Sequence, residues 1–457
     1  MSITVVSSLD VFSRQKACAA LAGDDPESIV VFHDLLEDGL VIRRIFSAGR
    51  LLEREESTLE HGCLSCTVRL DVVPTVRRML TKNSRIVLGL PPGVATAAAV
   101  HALLRGLGDA VTIGSVVVAC APDAVEDQIW DHHTLFESGY TPVPDDERTP
   151  GEFLIAEFAF SDTVVLADPA LVPVDPAGRA RGVRLIAELA PHTVVTESDG
   201  KLRSGRHQLG QATARTVPGS VQSPAQSSPP FRTVVQRLRR PLHPERFRHA
   251  LAALAEGCCW VRGQLWVASA PDCRIAIQGI GPRIWLEDTG PWRAHRDPLP
   301  AVVLNGQETQ GETDSESGDR GTVLAVTGDD VDPAEIASLL AACELTDAEL
   351  AAPAASMTHS VWIKGPNQHK GATHEGKKLA ARAEKNSRSP DSPPARQNLC
   401  HQQEKPAHES PPRLSFPGLP RLRRAASGLL QNGSVPFGLL EFSFGKAIGF
   451  SASPAFS

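Results

Sequence analysis

Glu60-His61-Gly62-Cys63-Leu64-Ser65-Cys66-Thr67-Val68-Arg69 is the most informative stretch of the chain, and the helically patterned LDVVPTVRRML of residues 70–80 follows it. Two cysteines three apart can hold one tetrahedral metal ion, and His61 can add a nitrogen ligand. Gly62 permits a tight backbone turn ahead of the pair. A helix starting near Thr67 would lower the thiol pKa through its dipole and favour thiolate, the form that binds metal. Pro74 is expected to bend that helix. The competing reading keeps Cys63 and Cys66 as small, partly buried packing residues.

Outward from this segment, short β-branched runs alternate with helical patterns. Ile3–Val6, Ile29–Phe32, Leu40–Phe46, Arg85–Leu90, Val111–Cys120 and Thr163–Leu166 read as strands. Helices are expected at Phe12–Leu21, Ala95–Leu107 and Gly151–Phe160. Strands separated by helical crossovers imply an α/β fold with a mainly parallel sheet and helices on both faces. The pattern ends near Glu197, which bounds a first domain at residues 1–197.

Residues 198–230 turn to Gly, Ser, Gln, Pro and Arg and read as a flexible linker. A smaller α+β domain, expected to pack separately from the first, covers 231–352. It has strands at Thr233–Leu238, Val261–Ala268, Arg274–Gln278, Arg283–Glu287 and Thr322–Thr327. One helix follows His243-Pro244, and another is capped by Asp332. The acidic run NGQETQGETDSESGDRG interrupts this domain as a solvated loop. Residues 353–457 read as a disordered low-complexity tail. Lys16, Lys82 and Lys201 are the only lysines before that point, whereas seven follow it, so a second reading makes the tail the product of a shifted or extended reading frame.

Composition narrows the function classes. Hydrophobic residues at 42% and charged residues at 22% are ordinary globular values. A net charge of -7 argues against a DNA-binding protein, although a local basic face survives that test. No apolar run approaches the roughly 18 residues that span a bilayer. The start lacks a basic n-region, so a secretory signal is not expected, and nine cysteines are too sparse for a disulfide scaffold. A cytoplasmic protein with reduced thiols fits.

With its flanks, the cysteine segment resembles the CobW-like family of P-loop GTPases, a group associated with zinc and described as metallochaperones. The family's Gly-Cys-x-Cys-Cys stretch is matched by Gly62-Cys63-Leu64-Ser65-Cys66, with Ser65 at the central cysteine. Arg240-Pro241-Leu242-His243-Pro244-Glu245-Arg246-Phe247 resembles the start of the family's C-terminal domain, and Val261-Arg262-Gly263-Gln264-Leu265-Trp266 its Gly-x-x-Trp strand. Leu345-Thr346-Asp347-Ala348-Glu349 resembles its closing segment. The resemblance covers residues 1–352. It implies a P-loop NTPase-like sheet, a CobW-type C-terminal domain, Zn2+ held by Cys63, Cys66 and His61, and GTP with Mg2+.

The nucleotide motifs depart from the family pattern. A P-loop needs glycines to wrap phosphate, a lysine to reach it and a hydroxyl for magnesium. The corresponding stretch is Ser8-Leu9-Asp10-Val11-Phe12-Ser13-Arg14-Gln15. Ser8 and Ser13 stand at the glycines, Arg14 at the lysine and Gln15 at the hydroxyl, with Asp10 adding negative charge to the cradle. Gly89 replaces the acid after the third core strand, and Ala167-Asp168-Pro169-Ala170 replaces the guanine-reading Asn-Lys-x-Asp. GTP binding and hydrolysis are therefore not expected, whatever the family does.

Asp131-His132-His133 is weighed as a metal cluster and read instead as an exposed loop, because adjacent side chains on a strand or helix point apart. Cys258-Cys259 beside Trp260 reads as core. A degraded P-loop with an intact C-terminal domain looks most like an actinobacterial branch described as ribosome hibernation factor-recruiting GTPases. That likeness implies an adaptor acting under zinc limitation, with the ribosome or a hibernation factor as partner and Arg237, Arg239, Arg240, Arg246 and Arg248 as a contact surface. The rival reading is a GTP-dependent metallochaperone delivering zinc to a client protein.

Overall fold

The computed structural model describes residues 1–351 apart from 24–26, 81–84, 170, 199–205, 228, 293–301, 305–306, 310–319 and 330, with backbone alone at 302–304 and 307–309. The expected tail at 353–457 and most of the acidic run lie outside the described residues. In chain order the elements of the first domain are β1 (Ser2–Ser7), α1 (Val11–Gly23), β2 (Ile29–Leu35), β3 (Leu40–Ser47), β4 (Arg50–Thr58), α2 (Leu64–Thr67), α3 (Val73–Met79) and β5 (Arg85–Gly89). There follow α4 (Thr96–Leu107), β6 (Thr112–Cys120), α5 (Pro122–Trp130), α6 (Pro150–Phe160), β7 (Thr163–Leu166), α7 (Pro176–Leu189), β8 (Val194–Glu197) and α8 (Leu209–Thr216).

These strands form one sheet in the order β4-β3-β2-β5-β1-β6-β7-β8. β1 pairs in parallel with both β5 and β6, so it lies in the middle of the sheet, with its carboxyl end at the point where the winding reverses. Ile3 and Val5 face α4 and join Ile86, Leu88, Val100 and Leu103 in one buried cluster. Val6 faces the other way with Val30, Val87 and Val117, against Ala17, Cys18 and Leu21 of α1. Helices cover both faces, as an α/β sheet of apolar strands requires.

The sheet is mixed, because β3 runs antiparallel to β2 and β4 antiparallel to β3. The hairpin between β3 and β4 turns through Ala48 and Gly49, both at positive φ. β4 was not legible in the sequence: RLLEREEST has no apolar alternation, and Leu51 and Leu52 are exposed. It is a charged edge strand, the kind that resists edge-to-edge association. The segment expected as a linker contains α8, with His207 and Ala212 buried ahead of and within it.

The second sheet is built from β9 (Phe231–Leu238), β10 (Cys258–Leu265), β11 (Cys273–Ile280), β12 (Arg283–Pro291) and, after the two short strands β13 (Val302–Leu304) and β14 (Gln307–Thr309), β15 (Thr322–Asp329). It is antiparallel in the order β12-β11-β10-β15-β9. α9 (Pro244–Ala255) and α10 (Pro333–Ala341) pack their apolar sides on it, and α11 (Asp347–Leu350) closes the described chain. Asp332 caps α10 through the amide of Ala334, as expected.

Separate packing is corrected by the structure. Phe231, Cys259, Trp260 and Ile280 lie in the same buried cluster as Val118, Phe153, Phe158 and Leu185 of the first sheet's layers. Arg181 of α7 pairs with Glu126 and with Asp329 of β15, and its guanidinium stacks over Phe231. Thr233 donates to the buried Glu188 of α7. Among the described residues no helix is long and apolar enough to cross a membrane.

Candidate functional site

The strand-end crevice lies beyond β1 and β6. Its cavity, about 320 Å3, is lined by Ser8, Asp10, Phe12, Tyr140, Leu171 and Val172 among others. Asp10 decides what this crevice can bind. Its Oδ1 accepts the amide of Phe12 at 3.2 Å and its Oδ2 that of Ser13 at 2.6 Å. A helix N-terminus attracts anions because its first amides are unpaired. Here the chain's own carboxylate takes two of them.

Arg14, at the position of the expected phosphate lysine, does not reach the crevice. It is fully buried, donates to the carbonyls of His33 and Leu90 at 3.0 and 2.6 Å, and pairs with Asp34 at 2.5 Å. The guanidinium fastens α1 to the ends of β2 and β5. Ser13 is buried and Gln15 half-buried on the same helix.

Gly89, where the family's acid would stand, has no room for one, since an added Cβ would meet the Phe32 ring at 2.6 Å. Asp168 is held by Arg179 at 2.6 Å, while Lys16 donates to its carbonyl. Behind the crevice, Ser7 donates to the buried Glu157 at 2.5 Å, and Glu157 accepts the Thr96 amide that opens α4. Burial raises the Glu157 pKa against the pull of these donors.

The cysteine pair sits where a loop enters α2. Cys63 is the N-cap residue, with its Sγ accepting the Cys66 amide at 3.2 Å, and both side chains are half-buried. The loop is fixed from behind by two glycines back to back: an added Cβ on Gly62 would lie 2.7 Å from Gly39 Cα, and one on Gly39 2.6 Å from the Leu59 carbonyl oxygen. This contact sets the exposed Glu37-Asp38 turn next to the loop, backbone to backbone.

The dipole expectation fails for Cys66. Its hydrogen bond with Cys63 raises its pKa, burial adds to that, and Arg69 offsets only part. A cysteine ligates metal as thiolate, so an ion held here would have to displace the Cys66 proton.

Pro74 does not kink a regular helix. The helix widens into a π turn at Val68–Val72 directly before α3, whose start accommodates the missing N–H. Asp71 in that turn accepts from Arg43 at 3.0 Å and from Ser57 at 2.8 Å, and its Oδ1 lies 3.1 Å from His33 Nε2. These bonds anchor the cysteine-bearing helix to β2, β3 and β4. Burial would raise the Asp71 pKa, but His33, Ser57 and Arg43 outweigh it and depress the carboxyl well below its ordinary range.

His61 is exposed on the same loop. Among the described residues, one group of three His, Cys or carboxylate side chains brings its ligand atoms within 4.8 Å of one another. That group is Asp131, His132 and His133, not His61, Cys63 and Cys66. His132 and His133 lie in an exposed loop, as expected, but the loop brings them together, with ring centroids 4.0 Å apart. Cys258 and Cys259 are buried, as expected of core residues, and burial pushes both thiols up to about 12.

Residues 231–344 match the family model of the cobalamin synthesis protein cobW C-terminal domain. Over that segment the chain is similar to CobW proteins. A Mycobacterium tuberculosis (strain ATCC 25618 / H37Rv) protein, "Zinc chaperone Rv0106", is 27% identical over 350 residues, which cover 71% of this chain and 84% of that protein. A Mycobacterium bovis relative, "Uncharacterized protein Mb0109", matches to the same extent. The Zn(II)-bound YjiA GTPase from E. coli aligns over 76% of this chain and 99% of its own at 11% identity, with a TM-score of 0.31.

Carboxylates engage most of the cations expected to form a contact surface. Arg240 pairs with Asp347 at 2.9 Å, Arg246 with Glu349 at 2.8 Å and Arg248 with Glu245 at 2.9 Å. Arg246 also donates to the Glu344 carbonyl, so it ties α9 to the closing segment of the domain. Arg237 and Arg239 are exposed.

Proposed function

We propose that this CobW-like chain is a zinc carrier of the metallochaperone type, that Cys63 and Cys66 hold Zn2+ as cargo for a client protein, and that its first domain acts as a scaffold without using nucleotide. The observation that carries the reading is the placing of the two half-buried cysteines on one turn at the start of α2, with the Cys66 amide on Cys63 Sγ. Two thiolates supply half of a tetrahedral shell. The remaining positions stay open to water or to a client's own ligands, which permits transfer by ligand exchange; a closed four-thiolate site would resist it. The name of the mycobacterial relative supports zinc as the cargo. A cytoplasmic setting fits the unpaired state of the described cysteines.

Independence from nucleotide is argued from Asp10, which takes two amides of the cradle, and from Arg14, whose cation is engaged away from the crevice. The ribosome-adaptor reading would use the Arg240, Arg246 and Arg248 face, and carboxylates already pair with those cations. Cosedimentation with ribosomes that falls steeply with salt would restore it. The main test is zinc competition against a chelator with the full chain and its Cys63→Ser/Cys66→Ser variant, alongside equilibrium dialysis with GTP and Mg2+. The carrier reading expects weaker zinc binding in the variant and no saturable GTP binding. Unchanged zinc affinity removes the cysteine role, and magnesium-dependent GTP binding revives the GTP-dependent chaperone.

A further inference from the structure

The loop after α5 brings together a ligand set that the cysteine reading does not use. Asp131, His132 and His133 place one ligand atom each within 4.8 Å of the others. Tetrahedral zinc bonded at about 2.0–2.1 Å needs neighbouring ligand atoms roughly 3.3 Å apart. Rotations of the two exposed imidazoles, which lie side by side, close that gap.

The set is also held in place. Asp131 Oδ2 accepts from Ser138 Oγ at 2.7 Å, and Oδ1 accepts the His133 amide at 2.9 Å. Leu135, two residues beyond the histidines, is fully buried, and its amide donates to the Arg148 carbonyl at 2.7 Å. Thr134 and Glu137 cap each other across the intervening turn. The backbone that presents the imidazoles is therefore anchored at both ends.

We propose that Asp131, His132 and His133 form a second divalent-cation site, selective for zinc-like ions, with two imidazole nitrogens, one carboxylate oxygen and water in the fourth position. Without metal, His133 Nδ1 makes a 2.9 Å hydrogen bond to Asp131 Oδ1. The ion takes the place of that proton, which moves to Nε2, so the imidazole stays neutral as a ligand must. The site does not depend on the cysteine pair, but it adjoins it. An added Cβ on Gly93 would lie 3.6 Å from Leu64 Cδ1 of the cysteine loop and 3.7 Å from Leu135 Cδ1 of the histidine loop. Two open sites flanking one turn suit a cargo ion better than a structural one.

Cobalt(II) and zinc titrations of the full chain test this, using Cys63→Ser/Cys66→Ser, His132→Ala/His133→Ala and the combined variant. The cysteine variant is expected to keep one equivalent of bound cobalt whose spectrum lacks thiolate charge-transfer bands. Adding the histidine changes to that background should weaken the remaining binding at least tenfold. The histidine variant alone should lose one equivalent and keep the thiolate bands. Thermal melts establish that each variant folds, and His133→Gln, which keeps the polar surface, should behave like the alanine change. A cysteine variant that binds no cobalt overturns the second site, as does binding that survives both histidine changes. Thiolate bands absent from the wild-type protein would remove the cysteine reading and leave this site standing.

Discussion

Asp10 Oδ2 lies 2.6 Å from the amide nitrogen of Ser13, and that bond closes the amino end of α1 with the protein's own negative charge. An anion arriving at this helix must displace a tethered carboxylate and then face its repulsion. Asp10→Ala is expected to cost about 1 kcal/mol of stability through the lost cap, read from urea unfolding. It should also raise affinity for pyrophosphate while leaving GTP unbound, because Arg14 remains engaged elsewhere. GTP binding by this single variant would count against the scaffold reading.

Arg14 makes its three contacts from a fully buried position. Arg14→Ala strands two buried carbonyls and leaves Asp34 with Arg44 alone, and a loss of about 3 kcal/mol is expected, the low end for breaking a buried pair. Arg14→Lys restores the residue type of a phosphate-binding loop, yet it should still fail to bind GTP in equilibrium dialysis while lowering the melting temperature. A stable, nucleotide-binding lysine variant would contradict this placement.

Gly62 and Gly39 meet backbone to backbone. A methyl group at Gly62 forces the loop away from Gly39, an overpacking strain of about 1–3 kcal/mol. Gly62→Ala should therefore weaken zinc binding at the cysteine pair while the α/β sheet stays folded, seen as a cobalt spectrum with reduced thiolate bands and near-normal circular dichroism.

Asp34 and Asp71 set the acid limit. Burial works against ionised Asp34, but Arg14 and Arg44 outweigh it and lower its pKa; His33, Ser57 and Arg43 do the same for Asp71. With folded-state values below the ordinary value of about 3.9, the folded protein binds fewer protons than the unfolded chain between the two values. Their stabilisation is complete above the ordinary carboxylate range and is lost as pH falls through it toward the depressed pKa. Melting temperature should be flat near neutrality and drop on acidification. Asp34→Asn and Asp71→Asn should lower the plateau and make the drop shallower; an unchanged acid slope in both would exclude these carboxylates as its cause.

The sequence by itself determined the alternation of strands and helices, the cap at Asp332, the turn ahead of the cysteine pair and the absence of a phosphate lysine. All of these are written in windows of a few residues, through hydrophobic period and turn chemistry. It could not show β4, whose charged residues form a strand only because β3 offers an edge.

Tertiary structure alone chose the partners that arrive from far along the chain. Examples are Asp34 and the Leu90 carbonyl for Arg14, Glu157 for Ser7 across 150 residues, and the shared core of the two sheets. It also decided that adjacent histidines converge, since a loop releases side chains from the opposed directions that a strand imposes. Such choices depend on which surfaces pack together and exclude water, and no short stretch of residues encodes that.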